Sequence, residues 1–294
     1  MIVVTTPTGG IGRQVLTHLL DHDAPVRVIV RDPARLPGGV RERVEVVPGS
    51  HGDPDVVMDA FEGAAAVFWV VPPNLTAASA EDAYAGFTGP ACDAVRQRGV
   101  THVVGVSALG RGTPQAHRAG LVTASLAMDD LIAGTGAHYR ALALPSFMDN
   151  LLRQAATIRD RGVFTSPVSG DRTAPTCATR DIAAVAAGLL LDRSWTGTGS
   201  VAVLGPQDLS FHAQARIMSE VLGRPVRFQQ TPPGEFKAAF TARGASDAMA
   251  QAMLDMMLAK DDGLDNAEPR TRASTTPTSF RQWCEEVLRP AVLS

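Results

Sequence analysis

The sequence predicts an α/β protein, a doubly wound parallel sheet followed by a small C-terminal α/β lobe, on three observations. The chain opens on a β-branched run (2–6), a turn holding Gly9, Gly10 and Gly12, and apolar residues at helical spacing over 13–20. Further apolar runs follow; Ala-Val-Phe-Trp-Val-Val at 66–71 is apolar throughout, as parallel strands covered on both faces should be. The length, 294 residues, suits one large α/β domain or such a core with a small second lobe.

Strand, glycine turn and helix together make the phosphate-binding start of a Rossmann unit. The glycines let the backbone approach a pyrophosphate, and the helix N-terminus offers free N–H groups and the positive end of its dipole. Thr6, Thr8, Gly9, Gly10, Ile11 and Gly12 are therefore candidate cofactor contacts. A second strand at 25–30 ends at Arg31. The residue after this strand selects the cofactor: an acid holds the ribose hydroxyls of NAD, an arginine the 2′-phosphate of NADP. Arg31 holds that place, with Arg35 and Arg13 nearby, so NADP(H) is the expected cofactor.

A third strand is expected at 44–47, with an amphipathic helix after it that ends near Phe61. The fourth strand, 66–71, stops at Pro72 and Pro73, at the carboxyl edge where such sheets bind ligands. Val71, Pro72 and Pro73 join the candidate cofactor set. A helix over 80–97, a fifth strand at 103–107, His117, a helix to Ile132 and a sixth strand at 138–144 complete the core. The expected domains are a cofactor-binding core over 1–150 and a smaller lobe over 151–294 that also returns strands and helices to the core. That lobe carries helices at 180–191 and 211–222, strands at 200–204 and 226–229, and mostly helical sequence to the end.

Several stretches carry a family resemblance. Thr6-Pro-Thr-Gly-Gly-Ile-Gly12 resembles the G-A-T-G-x-x-G turn of NmrA-like proteins, a branch of the atypical short-chain dehydrogenases/reductases. Thr6 stands for the first glycine and Pro7 for the alanine. A β-branched residue does not readily take φ > 0, so this turn is expected to start differently. Arg31-Asp-Pro-Ala-Arg35 is similar to R-[DN]-P-x-[KR], which again implies NADP. Ser50 replaces an acid of the family, which leaves adenine contact to Ser50, His51 or the backbone. Ser107-Ala-Leu-Gly110 resembles S-S-x-G and adds Ser107 to the cofactor set. Residues 139–150 align without a gap on Y-T-I-L-R-P-x-F-F-M-E-N; Phe147-Met-Asp-Asn150 is retained, and the R-P pair becomes Ala143 and Leu144. The resemblance implies that Phe147 and Asn150 stand at the cleft mouth above the nicotinamide, and that the second lobe receives the substrate. Asp181 matches a D-I-A segment and reads as a helix cap.

The chemistry turns on a missing pair. Short-chain dehydrogenases typically use a tyrosine whose pKa is lowered by a lysine four residues on. Here the only tyrosines are Tyr84 and Tyr139, followed at that spacing by Thr88 and Ala143, and the only lysines are Lys237 and Lys260. A quinone or activated enone can still take a hydride, because it spreads the incoming charge over conjugated oxygens and positioning supplies much of the catalysis. Candidate catalytic residues are His117, whose imidazole could protonate an oxygen, Ser107 and Asn150, with Thr123 as a further helper. Candidate substrate contacts are Tyr84, Phe147, Met148, Asn150 and Met253. Met249, Met253, Met256 and Met257 share roughly one helical face, which suits the wall of an apolar pocket, packing on the core or a homodimer contact.

Composition narrows the partners. A net charge of −3 gives no nucleic-acid footprint, and no apolar run is long enough to span a bilayer. The first strand begins at residue 2, so a cytoplasmic protein without a signal peptide is expected. Cys92, Cys177 and Cys284 lack metal spacing and read as free thiols, with no metal site. The favoured function is an NADPH-dependent reductase of a quinone-like or conjugated aromatic carbonyl. Its rivals are a redox sensor that binds NAD(P) without turnover and a non-redox tailoring enzyme acting on an aromatic polyketide.

Overall fold

The computed structural model describes residues 1–72 and 74–294. Strand and helix alternate through the first half of the chain. In order they are β1 (Ile2–Val4), α1 (Gly12–Asp21), β2 (Val26–Val30), the single turn α2 (Gly38–Arg41), β3 (Glu45–Pro48) and α3 (Pro54–Ala60). Next come β4 (Ala66–Trp69), a π-helical turn Asp82–Gly86 running into α4 (Phe87–Arg98), β5 (His102–Ala108), α5 (Leu121–Ala133) and β6 (His138–Leu144). The second half holds β7 (Ser146–Phe147), α6 (Ala155–Arg161), β8 (Val163–Ser166), β9 (Ala174–Cys177), α7 (Thr179–Leu191) and β10 (Thr198–Ala202). It closes with β11 (Asp208–Leu209), α8 (Phe211–Leu222), β12 (Arg227–Gln230), α9 (Pro233–Thr241), α10 (Asp247–Asp261), α11 (Phe280–Trp283) and α12 (Arg289–Leu293).

Seven strands form one sheet in the order β3-β2-β1-β4-β5-β6-β10, and every neighbouring pair is parallel. The expected doubly wound sheet is thus observed, and its topological switch lies between β1 and β4. At such a switch the loops leave in opposite directions and open a crevice. The period-2 alternation of the strands splits their side chains between two cores. Val4, Val28, Phe68, Val104 and Leu142 pack under α1 and α7. Val3, Ile29, Val67, Trp69, Val103 and Tyr139 pack on the other face, under α3, α4 and α5. Both faces exclude water, which is why these strands read as continuous apolar runs.

After β6 the chain builds a separate core. Phe164, Met218, Phe228, Trp283 and Leu288 pack around the parallel pair β8–β12, closed by α6, α8, α11 and α12. Within the same half, α7 packs on α1 and β10 extends the large sheet beside β6. A three-stranded sheet, β7-β9-β11, joins the two parts. Its strands have two to four residues, too short to leave a periodic signal in the sequence.

Three local expectations change. The last strand of the large sheet lies at Thr198–Ala202 rather than 200–204, pairing Thr198 with Tyr139. The helix expected over 80–97 is widened ahead of Pro90, which cannot donate a hydrogen bond to the preceding turn. Asp181 is not the cap of α7. Asp149 fills that role, accepting from the Thr179 N–H at 3.0 Å and hydroxyl at 2.8 Å. Asp181 instead accepts from the N–H and hydroxyl of Thr278, at 3.1 and 2.7 Å, and ties the C-terminal segment to the core. Among the described residues no helix is long and apolar enough to cross a membrane.

Candidate active site

The glycine turn meets the carboxyl edge beside the switch. Gly9 N–H donates to the Thr6 carbonyl at 3.0 Å, and none of Thr6, Gly9, Gly10 or Gly12 has a positive φ. The turn therefore never uses the left-handed conformation that Thr6 would resist, and closeness alone fixes its glycine. A Cβ on Gly12 would stand 1.9 Å from the Thr6 carbonyl oxygen, whereas one on Gly10 would meet nothing within 4 Å. The N–H groups of Gly10, Ile11 and Gly12 donate to no protein acceptor among the described residues. The N-terminus of α1 also has no side-chain cap and no acid in its first turn. Free donors, a positive dipole end and no competing carboxylate fit a diphosphate. Thr8 is half-buried on the same turn.

Two polar bridges hold this turn in place. Thr5 donates to the Phe68 carbonyl at 3.0 Å and accepts from Val70 N–H at 3.2 Å, spanning the switch between β1 and β4. Gln14 donates to the Gly10 carbonyl at 2.6 Å and to Thr179 Oγ1 at 3.1 Å, linking the turn to α7. Neither residue stood out in the sequence, where Thr5 reads as the end of a strand.

Arg31 and Arg35 are exposed beyond β2. Asp32 between them caps the following turn through the Ala34 N–H at 3.0 Å, so it does not compete for a ribose. The donor set suits the 2′-phosphate of NADP. His51 packs edge-on against Trp69 and Phe87, at 5.2 and 4.9 Å between ring centres, and its Nε2 donates to the Val70 carbonyl at 3.0 Å. Burial pulls its pKa down to about 4, against the opposing effect of that bond and with help from the nearby Arg31 charge. His51 is therefore neutral at pH 7, and Ser50 lies beside it, bonded to Gly52 N–H at 3.3 Å. Val71 is buried and Pro72 exposed past the end of β4; Pro73, also a candidate cofactor contact, lies outside the described residues.

Helix α10 walls the other side of the edge. Its cap residue Ser246 donates through N–H to the Leu75 carbonyl at 2.9 Å and through its hydroxyl to the Ala77 carbonyl at 2.7 Å. Gly120, at the start of α5, is pressed so close that a Cβ there would stand 2.0 Å from the Ala252 carbonyl. This packing brings Tyr84 and Met253 into one apolar cluster with Ala83, Leu121 and Met249. Burial pushes the Tyr84 phenol up to about 12, so it keeps its proton. His117 is exposed, and with Arg118, Thr123, Asp255 and Leu258 it lines a cavity of about 470 Å³ between α5 and α10.

The remaining candidates scatter. Ser107 is buried near the end of β5 and bonded to Asp129 on α5 at 2.5 Å. Phe147 is half-buried against the core under α1 and α7. Met148 departs from its expected place at the substrate: it is 2% exposed and packs with Leu151, Ile158 and Phe164 in the second core, which uses up its side chain. Asn150 is exposed two residues on. No hydrogen bond among the described residues joins Ser107, His117 and Asn150. Tyr139 lies deep in the sheet, 2% exposed, and Lys260 is held by Asp265 at 2.5 Å, so neither helps to form a Tyr–Lys dyad.

A family model described as NAD(P)H-binding matches residues 7–193. A (4-alkanoyl-5-oxo-2,5-dihydrofuran-3-yl)methyl phosphate reductase of Streptomyces griseus is 31% identical over 301 residues, covering 97% of each chain. An NAD(P)H azoreductase of Xenophilus azovorans is 29% identical over 256 residues, 87% of this chain and 86% of that one. The crystal structure of an NADPH-dependent quinone oxidoreductase from Escherichia coli, complexed with NADPH, superposes with a TM-score of 0.78 over 96% of this chain and 98% of that chain. At 20% identity this last likeness is one of fold.

Proposed function

The chain belongs to the NAD(P)H-binding family, and on that premise we propose that it is an NADPH-dependent reductase of quinone-like or conjugated carbonyl acceptors. One observation carries the reading: the donor-rich, acid-free start of α1 and the exposed Arg31 flank an edge that lacks a Tyr–Lys dyad. When bound there, the nicotinamide supplies a hydride. The N–H groups of Gly10, Ile11 and Gly12 hold the diphosphate, and Arg31 with Arg35 holds the 2′-phosphate. Tyr84 and Met253 give the acceptor an apolar wall and, with α10, keep water from it. Ser107, His117 and Asn150 are the candidate groups for the acceptor's oxygen.

Without a strong acid the chemistry favours acceptors that disperse charge themselves. A quinone, an azo group and an acylated furanone all do so by conjugation, and the three similar proteins are named as a quinone oxidoreductase, an azoreductase and a furanyl phosphate reductase. The test is NADPH oxidation, followed spectroscopically, against a panel of quinones, azo dyes, activated enones and simple ketones. Turnover of the conjugated acceptors and not of the ketones is expected. Tight NADPH binding with no acceptor turned over would overturn the reductase reading and favour a sensor.

A further inference from the structure

Beneath the carboxyl edge, five side chains from three elements and one loop close into a buried network. Ser107 Oγ on β5 donates to Asp129 Oδ2 at 2.5 Å, and Tyr139 Oη on β6 donates to Oδ1 at 2.6 Å. Ser125, one turn earlier on α5, lies 3.4 Å from Ser107 Oγ. Arg111, in the loop after β5, places Nη2 3.6 Å from Asp129 Oδ2 while its half-exposed side chain reaches solvent and Asp130. Asp129 is 3% exposed, and its neighbour Asp130 is on the surface. The strand beside it is shaped for this: a Cβ on Gly105 would stand 2.4 Å from Tyr139 Oη, so only glycine leaves the phenol its place.

A carboxylate this deep is costly unless it is paired, and among the described residues the only cation near it sits at 3.6 Å. An asparagine would bond the same two hydroxyls without that cost. What aspartate adds is a proton that can leave. Ser107 is next to last in β5, at the carboxyl edge where such sheets bind ligands.

We propose that Asp129 and Ser107 are a proton relay that supplies the acceptor's oxygen in place of the missing Tyr–Lys dyad. The inference rests on the reductase reading. The electron pair arrives as hydride from the reduced nicotinamide, which leaves oxidised. When Asp129 carries its proton on Oδ2, the 2.5 Å contact runs the other way, Oδ2–H donating to Ser107 Oγ, and the Ser107 hydroxyl is free to turn to the acceptor. As the acceptor's O–H bond forms, the Ser107 Oγ–H bond breaks and the Asp129 proton passes to Ser107 Oγ. Asp129 is left as a carboxylate held by Tyr139 and Arg111, and it regains a proton from water at the Arg111 side. Burial raises the pKa of Asp129, against bonds from Ser107 and Tyr139 and the charge of Arg111. The other ionisable groups facing the network are Cys92 on α4, beside Tyr139, and Asp130. Burial keeps the Cys92 thiol protonated, and Asp130 is paired with Arg111.

The test reads the proton directly. Infrared titration of the whole protein without cofactor should show a carboxylic-acid carbonyl band persisting above the ordinary aspartate range, lost in Asp129→Asn. Tyr139→Phe removes a bond to the charged form, so the band and the alkaline limb of kcat should both move to higher pH. Ser107→Ala and Asp129→Asn should each lower kcat about 100-fold for a quinone, with the double variant no worse, and Asp129→Asn should leave NADPH affinity unchanged. If Asp129→Asn does not fold, Ser107→Ala and Tyr139→Phe carry the test. An Asp129 found ionised across the neutral range, or variants with wild-type rate and pH profile, would overturn the relay. A wild type that shows the band and binds NADPH but reduces no acceptor overturns the reductase reading instead, and the relay's role with it.

Discussion

Gly12 and Thr6 are in closer contact than any side chain at position 12 would permit, since a Cβ there would stand 1.9 Å from the Thr6 carbonyl oxygen. The contact lies at the start of α1, beside the N–H groups proposed to hold the diphosphate. Gly12→Ala is therefore expected to open the turn, costing about 3 kcal/mol as overpacking does, and to lose NADPH binding with it. Gly10→Ala adds a methyl that meets nothing within 4 Å, so its melting temperature should stay within a few degrees of the parent. Thr6→Gly should not tighten binding, because Thr6 already has an unstrained φ. Thermal melting and calorimetric titration of the three variants check these outcomes; an unchanged Gly12→Ala would contradict them.

Arg31 is exposed at the end of β2 and no acid holds its place. NADPH should bind more tightly than NADH, and Arg31→Ala should weaken NADPH by about 1.5–3 kcal/mol, the worth of a hydrogen bond to a charged group. NADH affinity should hardly move. The measurement is titration of both cofactors against both proteins, and equal affinities in the wild type would sink the assignment.

His51 gives the fold a pH dependence of known sign. Its pKa falls from 6.5 to about 4 in the folded protein, chiefly through burial. Above pH 6.5 neither state carries the proton, and the full stability is present. As pH drops from about 6.5 to about 4, the unfolded chain binds a proton that the folded one refuses, so stability falls by at most about 3 kcal/mol. In His51→Gln this part of the loss should disappear. Urea midpoints at pH 7, 5.5 and 4.5 for the two proteins measure it; parallel profiles would show that His51 is not held neutral.

The sequence by itself determined the alternation of strands and helices, the glycine turn, the arginine after β2, and the absence of a Tyr–Lys pair. These are local: periodicity, turn chemistry and residue identity are written within a few positions of one another. Strand β6 and helix α8 run over 138–144 and 211–222, the spans their patterns predict. Tertiary structure alone decided which polar residues matter. Asp129 and Asp130 are adjacent and chemically identical, yet a rotation of one residue around α5 buries the first against Ser107 and Tyr139 and leaves the second in water. Asp181 resembles a cap in sequence, but its partner Thr278 lies 97 residues away and only packing brings it there. Met148 sits in the middle of a family-like motif and turns into the second core. Pairing across such separations depends on how whole elements pack, and no short window of sequence records it.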